Sequence, residues 1–304
     1  MANDDLDPID AGLMDNETTR QLKQMADTLA RYVEASEDFR ALRSDDGYSG
    51  LFDYIPKLLR CFRWEWSLDL VDVVTENLDR RQALLGGPLF TSSYFPWPKD
   101  ENGFLQPIAQ IDLDLANELS GMTLGHGMLQ VWTNAQGTRS LFRTIPTRHL
   151  KEADLSSIPE GLGMAQNLEL AFSLGMSDWG NNPHACSQQI VGVGTKKLTW
   201  PRSLVGWLSD LEAASDGYSA RQIRGFLEQL PEVSESRKAH LFGNFREIQY
   251  TAAERPPCLL ALDSEEPFCW GDNGSAQIFF NPVRKVIDIN GNTRTPMSFE
   301  WSCV

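Results

Sequence analysis

Two stretches of the chain share one local design, and this repeat constrains the fold more than any other feature. Residues 107–113 read PIAQIDL, and after a polar turn residues 125–132 read GHGMLQVW. Residues 258–264 read CLLALDS, and after another polar turn residues 271–280 read GDNGSAQIFF. Each copy is an apolar strand that ends in Asp, then a connection, a Gly-rich turn and an apolar strand that holds a Gln. The repeat predicts a duplicated β-rich domain.

The pattern changes near residue 86. Residues 1–16 are acidic and lack periodicity, which is typical of a mobile tail. Within residues 17–85 apolar side chains recur at helical spacing, and the second such stretch, residues 51–85, ends at Gly86-Gly87-Pro88. Short apolar runs between Gly, Pro and Asn turns follow. We therefore predict an α+β fold: a helical N-terminal region and then a domain of residues 86–304, with two related antiparallel β-rich halves and an internal pseudo-duplication.

The charge of the chain points to its class of partner. The net charge is −15, from 42 acidic and 27 basic residues. Binding to nucleic acid requires Lys and Arg to neutralise phosphates, so direct nucleic-acid binding is not expected. A basic protein is a better partner for an acidic surface, although acidity also serves solubility alone.

The compartment is predicted from what the sequence lacks. No apolar run approaches the roughly 20 residues of a membrane helix, so no membrane partner is expected. The first residues lack the basic flank and apolar centre of a signal peptide. The five cysteines are scattered without a Cys-x-x-Cys pair, which favours free thiols. These features predict a cytoplasmic protein.

Candidate sites for chemistry are weak. None of the four histidines has a His or Cys partner at metal-ligand spacing. Asp112 and Asp263 occupy equivalent places in the two copies of the repeat, and could approach each other across a pseudo-twofold axis as an acid pair or cation site. Alternatively, each aspartate caps the turn after its strand. We expect no catalytic residue, no metal and no cofactor.

An aromatic loop offers a candidate contact. Residues 94–98 read YFPWP, and each proline holds the residue before it in an extended conformation. Such a loop either fills the edge of a core or, if exposed, supplies interface anchors, since Trp and Tyr are common hot spots. Tyr94 and Trp97 are the candidate anchors.

The order of these motifs resembles the YwqG-like domain-of-unknown-function family. The matching motifs are GGP at 86–88, WP at 97–98, both copies of the repeat, and HLFG at 240–243. Ala261 stands where the family usually has Gln, and residues 133–235 match poorly. The resemblance implies an α+β fold of two related β-rich halves and supplies no catalytic residues. It also implies a link to bacterial toxin systems, in which small acidic cytoplasmic proteins neutralise a cognate toxin.

The resemblance and the charge together favour an immunity protein that is not an enzyme. Such a protein would bind a cognate basic toxin, plausibly a nuclease, and occlude its active site. Carboxylates would pair with toxin Lys and Arg residues, and aromatic anchors would be buried in the contact. The residues expected in the contact are Tyr94, Trp97, Asp112, Asp114, Glu118, Glu265, Glu266 and Asp272.

Two alternatives remain open at this point. One is a small-ligand or metal-binding protein, or an enzyme, that uses a cleft between the two β-rich halves with Asp112, Asp263 and Asp272. The other is a scaffold without a toxin partner, whose helical N-terminal region is its docking element.

Overall fold

The computed structural model describes the chain from Arg63 onward, with gaps. The described residues are 63–74, 77–134, 137–152, 154–159, 186–199, 209, 212–213, 221, 224–225, 228, 239–244, 257–263, 268, 270, 274–281, 284–288 and 291–302. The expected acidic tail, residues 1–16, and residues 17–62 of the expected helical region lie outside them.

Strands dominate the described residues. They are β1 (Arg63–Val74), β2 (Leu84–Leu85), β3 (Lys99–Asp100), β4 (Gly103–Phe104), β5 (Gln106–Asp112), β6 (Met128–Thr133), β7 (Ser140–Ile145), β8 (Cys186–Thr199), β9 (Ala239–Phe242), β10 (Cys258–Asp263), β11 (Ser275–Phe280), β12 (Val286–Ile287), β13 (Thr293–Arg294) and β14 (Met297–Ser302). The two helices of this part of the chain are α1 (Leu113–Ser120) and α2 (Thr147–Glu152).

The predicted α+β class is wrong, because the described part of the chain is mostly β. The clearest error falls at β1, which occupies residues that we expected to continue a helical region up to residue 85. Trp64, Trp66 and Leu68 recur every second residue, and Trp66 and Leu68 are buried. A period of two is that of a strand, and the β-branched Val71 and Val73 favour the same conformation. Apolar residues are so dense in this stretch that some of them also fall three or four residues apart, which is the spacing of a helix.

The chain divides into two compact units. The larger consists of Trp66–Thr195, Ser236–Leu241 and Cys258–Val304. The smaller consists of Met1–Glu65, Lys196–Glu235 and Phe242–Pro257. In the smaller unit the Thr199 hydroxyl donates to the carbonyl oxygen of Arg63 (3.1 Å), and Nζ of Lys196 lies 4.4 Å from the centroid of the Trp64 ring.

One ten-stranded sheet organises the larger unit. Its strand order is β14-β11-β10-β9-β1-β8-β2-β5-β6-β7. The edge strands β14 and β7 also approach each other, so the sheet is nearly closed. The pairs β3–β4 and β12–β13 form two separate small ribbons.

The two copies of the sequence repeat form hairpins with one register. In β5–β6, Gln110 lies opposite Gln130, and the register shifts between Pro107 and Ala109. In β10–β11, Ala261 lies opposite Gln277, and the register shifts between Cys258 and Leu260. The terminal aspartates Asp112 and Asp263 lie opposite Met128 and Ser275. The repeat therefore extends from sequence to strand pairing, including the position of the irregularity.

Candidate protein-binding surface

The aromatic loop exposes one of its rings and buries another. Tyr94 is 74% exposed, whereas Trp97 is 7% exposed. Nε1 of Trp97 donates to the carbonyl oxygen of Leu105 (2.8 Å), and its ring meets that of Trp132 edge to face at 5.0 Å between centroids. Trp97 is therefore a core residue. Of the two expected anchors, only Tyr94 is available to a partner.

A buried network of polar side chains binds the backbone of the aromatic loop. Nε of Arg143 donates to Oε1 of Gln130 (2.6 Å), and Nη1 donates to the carbonyl oxygen of Pro96 (2.7 Å). Nε2 of Gln130 donates to Oε1 of Gln110 (2.6 Å) and to the carbonyl oxygen of Phe90 (2.7 Å). Gln110, Gln130 and Arg143 belong to the neighbouring strands β5, β6 and β7, so the sheet fixes their positions. Their hydrogen bonds in turn fix the backbone of the aromatic loop.

Arg143 carries its positive charge in a mostly dry environment. The residue is 5% exposed, and burial lowers the pKa of its guanidinium to about 10, which leaves it protonated at neutral pH. Its described acceptors are uncharged oxygens, and the guanidinium lies 5.3 Å from the centroid of the Trp132 ring. A buried charge of this kind is tolerated when carbonyl dipoles and an aromatic face replace water.

The aspartates after β5 have separate roles. Oδ1 of Asp112 accepts hydrogen bonds from the backbone N–H groups of Asp114 (2.9 Å) and Leu115 (3.3 Å), so Asp112 is the N-cap of α1. This confirms the capping alternative for Asp112. Asp114 is exposed and its Oδ1 hydrogen-bonds with Nδ1 of His126 (2.8 Å).

Gly127 joins α1 to the end of β7. Its backbone N–H donates to Oδ2 of Asp114 (3.3 Å), and its φ is 83°. A Cβ at this position would collide with the carbonyl oxygen of Ile145 and would lie 3.2 Å from Cα of Pro146. Only glycine combines this left-handed conformation with so close an approach, so Asp114 and Pro146 both lie close to Gly127.

The aromatic loop reaches the same end of the sheet. His149 in α2 donates its backbone N–H to the carbonyl oxygen of Pro146 (2.9 Å), and its ring lies 5.9 Å from that of Tyr94 and 5.2 Å from that of Phe95. Tyr94 and Asp114 therefore lie at the same end of strands β5–β7, near the end of β7. Glu118 is exposed and lies one helical turn beyond Asp114. We call this set the end surface, and it consists of Tyr94, Asp114, Glu118, His126 and His149.

The histidines of the end surface were not among the residues predicted for the contact. His126 lies between Gly125 and Gly127, both with positive φ. The Gly-His-Gly sequence indicates a tight turn that carries a polar side chain, and this was the available sign of an exposed His126. His149 carried no signal, because its position depends on the approach of α2 to a loop more than 50 residues earlier.

The remaining expected contact residues cannot be placed on this surface. Glu265, Glu266 and Asp272 lie outside the described residues. The acid pair of Asp112 with Asp263 has no support, since four strands separate β5 from β10 in the sheet. Among the residues that the structure describes, no group of three or more His, Cys, Asp or Glu side chains gathers to hold a metal ion.

Comparison with known proteins adds no family. No protein-family model matches the chain, and no curated protein matches it. Membership of the YwqG-like family therefore stays a prediction. Within the described ranges, no helix is long and apolar enough to span a bilayer.

Proposed function

We propose that this chain is a cytoplasmic immunity protein that binds a basic protein toxin, plausibly a nuclease, and occludes its active site. The end surface carries the proposal, because an exposed tyrosine and the exposed carboxylates of Asp114 and Glu118 lie at one end of strands β5–β7. The net charge of −15 supports a basic partner, and the resemblance to the YwqG-like family supports the link to toxins.

Tyr94 suits the role of an anchor because its backbone is already ordered. The backbone N–H of Ser92 donates to the carbonyl oxygen of Phe95 (3.0 Å), and Arg143 holds the carbonyl oxygen of Pro96. Binding therefore costs little further ordering of the loop, and the burial of the aromatic ring appears as affinity. Tyrosine is among the residues most enriched at binding hot spots.

Glu118 lies where a helix does not favour an acid. It belongs to the last turn of α1, which contains no basic residue. The carbonyl groups at the C-terminus of a helix carry partial negative charge, so an acidic side chain there costs up to about 1 kcal/mol. A carboxylate kept at an unfavourable and exposed position is consistent with a role in binding.

Replacing Glu118 with lysine tests that role. We expect the Glu118→Lys protein to unfold at slightly higher urea concentration, by about 0.3–1 kcal/mol, because the charge now suits the helix end. We expect its affinity for the toxin to fall by about tenfold, because a carboxylate facing Lys or Arg becomes a like charge. Both quantities are measured on the purified protein, by urea denaturation and by calorimetry.

Glu101→Lys is the matched control for charge. Glu101 is an exposed residue of the β3–β4 ribbon, paired with Arg139 at 2.8 Å, and its reversal changes the net charge by the same amount. Equal loss of affinity in both variants would mean that net charge alone drives binding, and would remove Glu118 from the contact.

The toxin itself is sought by affinity capture of the tagged chain from its native cells, at low and at high salt. We expect one basic protein in stoichiometric amount, with less recovered at high salt because the contact is charged. The captured protein, expressed alone, should be toxic, and co-expression of this chain should relieve the toxicity. Toxicity that persists despite binding would reject the immunity function.

A further inference from the structure

The strand order of the sheet reads as two equivalent sets of five. From one edge inward the order is β7-β6-β5-β2-β8, and from the other edge inward it is β14-β11-β10-β9-β1. The hairpins β5–β6 and β10–β11 occupy matching places and share one register. On the outer side, β7 pairs with β6 as β14 pairs with β11. On the inner side, β2 pairs with β5 as β9 pairs with β10, and the equivalent strands follow the same order along the chain.

A backbone irregularity marks the same equivalence. Leu85 lies opposite Ala109, and Leu241 lies opposite Leu260, in each case just after the register shift of the hairpin. The next residue has positive φ in both sets, 73° at Gly86 and 58° at Phe242. Positive φ is unusual for a bulky residue. The common geometry of the two sets accounts for it at Phe242.

The innermost strands, β1 and β8, do not lie next to the strand that follows them in the chain. β1 precedes β2 in the chain, yet it lies next to β9. β8 precedes β9, yet it pairs with β2, with Leu84 opposite Gln189 and Leu85 opposite Gln188. Each set thus contributes its first strand to the sheet of the other.

We infer that the ten-stranded sheet is an internal strand-exchanged dimer. The first set is β1, β2, β5, β6 and β7, and the second is β8, β9, β10, β11 and β14. β1 pairs along the inner edge of β9, and β8 pairs along the inner edge of β2, so each of these edges is an interaction surface for the first strand of the other set. Neither set completes its own sheet, so the two halves of the chain hold each other by main-chain hydrogen bonds as exchanged subunits do.

Side chains along the seam between β1 and β8 support a close fit. The Ser67 hydroxyl donates to the carbonyl oxygen of Thr195 (3.4 Å), and Nε2 of Gln188 donates to Oδ1 of Asp72 (3.1 Å). A Cβ on Gly194 would lie 2.6 Å from Oγ of Ser67 and 2.8 Å from Oδ1 of Asp69. Glycine at this position lets the polar side chains of β1 lie across β8.

Cleavage of the folded chain tests the inference. A site for a specific protease, within a Gly/Ser linker, is inserted between residues 160 and 185, and the purified full-length protein is then cut. We expect the two pieces to elute together as a one-to-one complex with the circular dichroism of the uncut protein. If the pieces separate on a sizing column, folded or unfolded, then exchanged strands do not hold the two halves of the chain together, and the inference is wrong.

Gly194→Val locates the seam. The added side chain must displace Ser67 and Asp69 of β1, and Ser67 then loses its hydrogen bond to the carbonyl oxygen of Thr195. We therefore expect the dissociation constant of the cut pieces to rise by about three- to tenfold relative to the wild type. Gly225→Val is the control, because a Cβ there meets nothing within 4 Å. Association of the Gly194→Val pieces as tight as that of the control would contradict the seam. No toxin enters this experiment, so its outcome is independent of the proposed function.

Discussion

Replacing Trp97 with alanine should lower the free energy of unfolding by about 3–5 kcal/mol. The change removes a ring that packs on Trp132 in a buried cluster with Leu84, Leu89 and Leu105, and it leaves a cavity there. It also leaves the carbonyl oxygen of Leu105 without the Nε1 donor. Urea denaturation followed by circular dichroism measures the loss.

Tyr94→Ala is the matched comparison, three residues away on the same loop. Its ring is mostly exposed, so we expect the free energy of unfolding to change by less than about 0.5 kcal/mol. Its affinity for the toxin should fall by about 2 kcal/mol or more if Tyr94 is a hot spot. A stable Trp97→Ala protein would contradict the core assignment, and unchanged toxin affinity of Tyr94→Ala would remove the anchor from the end surface.

Replacing Arg143 with alanine should also lower the free energy of unfolding, by about 2–3 kcal/mol. The change leaves the carbonyl oxygen of Pro96 without its described donor, and a buried unsatisfied group costs about 1–3 kcal/mol. It also removes one of the two hydrogen bonds to Oε1 of Gln130, which keeps the Nε1 donor of Trp132 (3.3 Å). The aromatic loop should loosen with it. Urea denaturation gives the stability, and hydrogen exchange at the amide of Phe95, which donates to Oγ of Ser92, gives the local effect.

Arg139→Ala provides the control for Arg143. Arg139 lies just before β7, is well exposed and pairs with Glu101, so its loss should cost no more than about 1 kcal/mol. Equal losses at the two arginines would mean that the buried network contributes nothing beyond a surface ion pair.

Local features of the sequence predicted local structure well. The Asn102-Gly103 pair is typical of a hairpin turn, and it lies in the β3–β4 ribbon. Asp112 caps α1, as the capping alternative for the aspartate after the first strand of the repeat predicts. These features depend on neighbouring residues, whose side chains and backbone preferences act without help from the rest of the fold.

Features that depend on distant residues could not be predicted in the same way. β1 was mistaken for a helix because a dense apolar run satisfies both periods, and only its neighbours β9 and β8 decide between them. The network of Gln110, Gln130 and Arg143 could not be predicted either. Polar residues on strands are usually expected to be exposed, and only the pairing of β5, β6 and β7 shows that these three contact one another. Trp97 could have been an anchor or a core residue, and only the packing against Trp132 settles which.

The meeting of β14 with β7 limits how another protein can bind. Open edge strands offer unpaired N–H and C=O groups, and many partners attach there by adding a strand of their own. In this sheet β14 and β7 approach each other, which leaves less of either edge open to β-augmentation. A partner of this sheet then relies more on side chains, and single substitutions at its surface become direct tests of specificity.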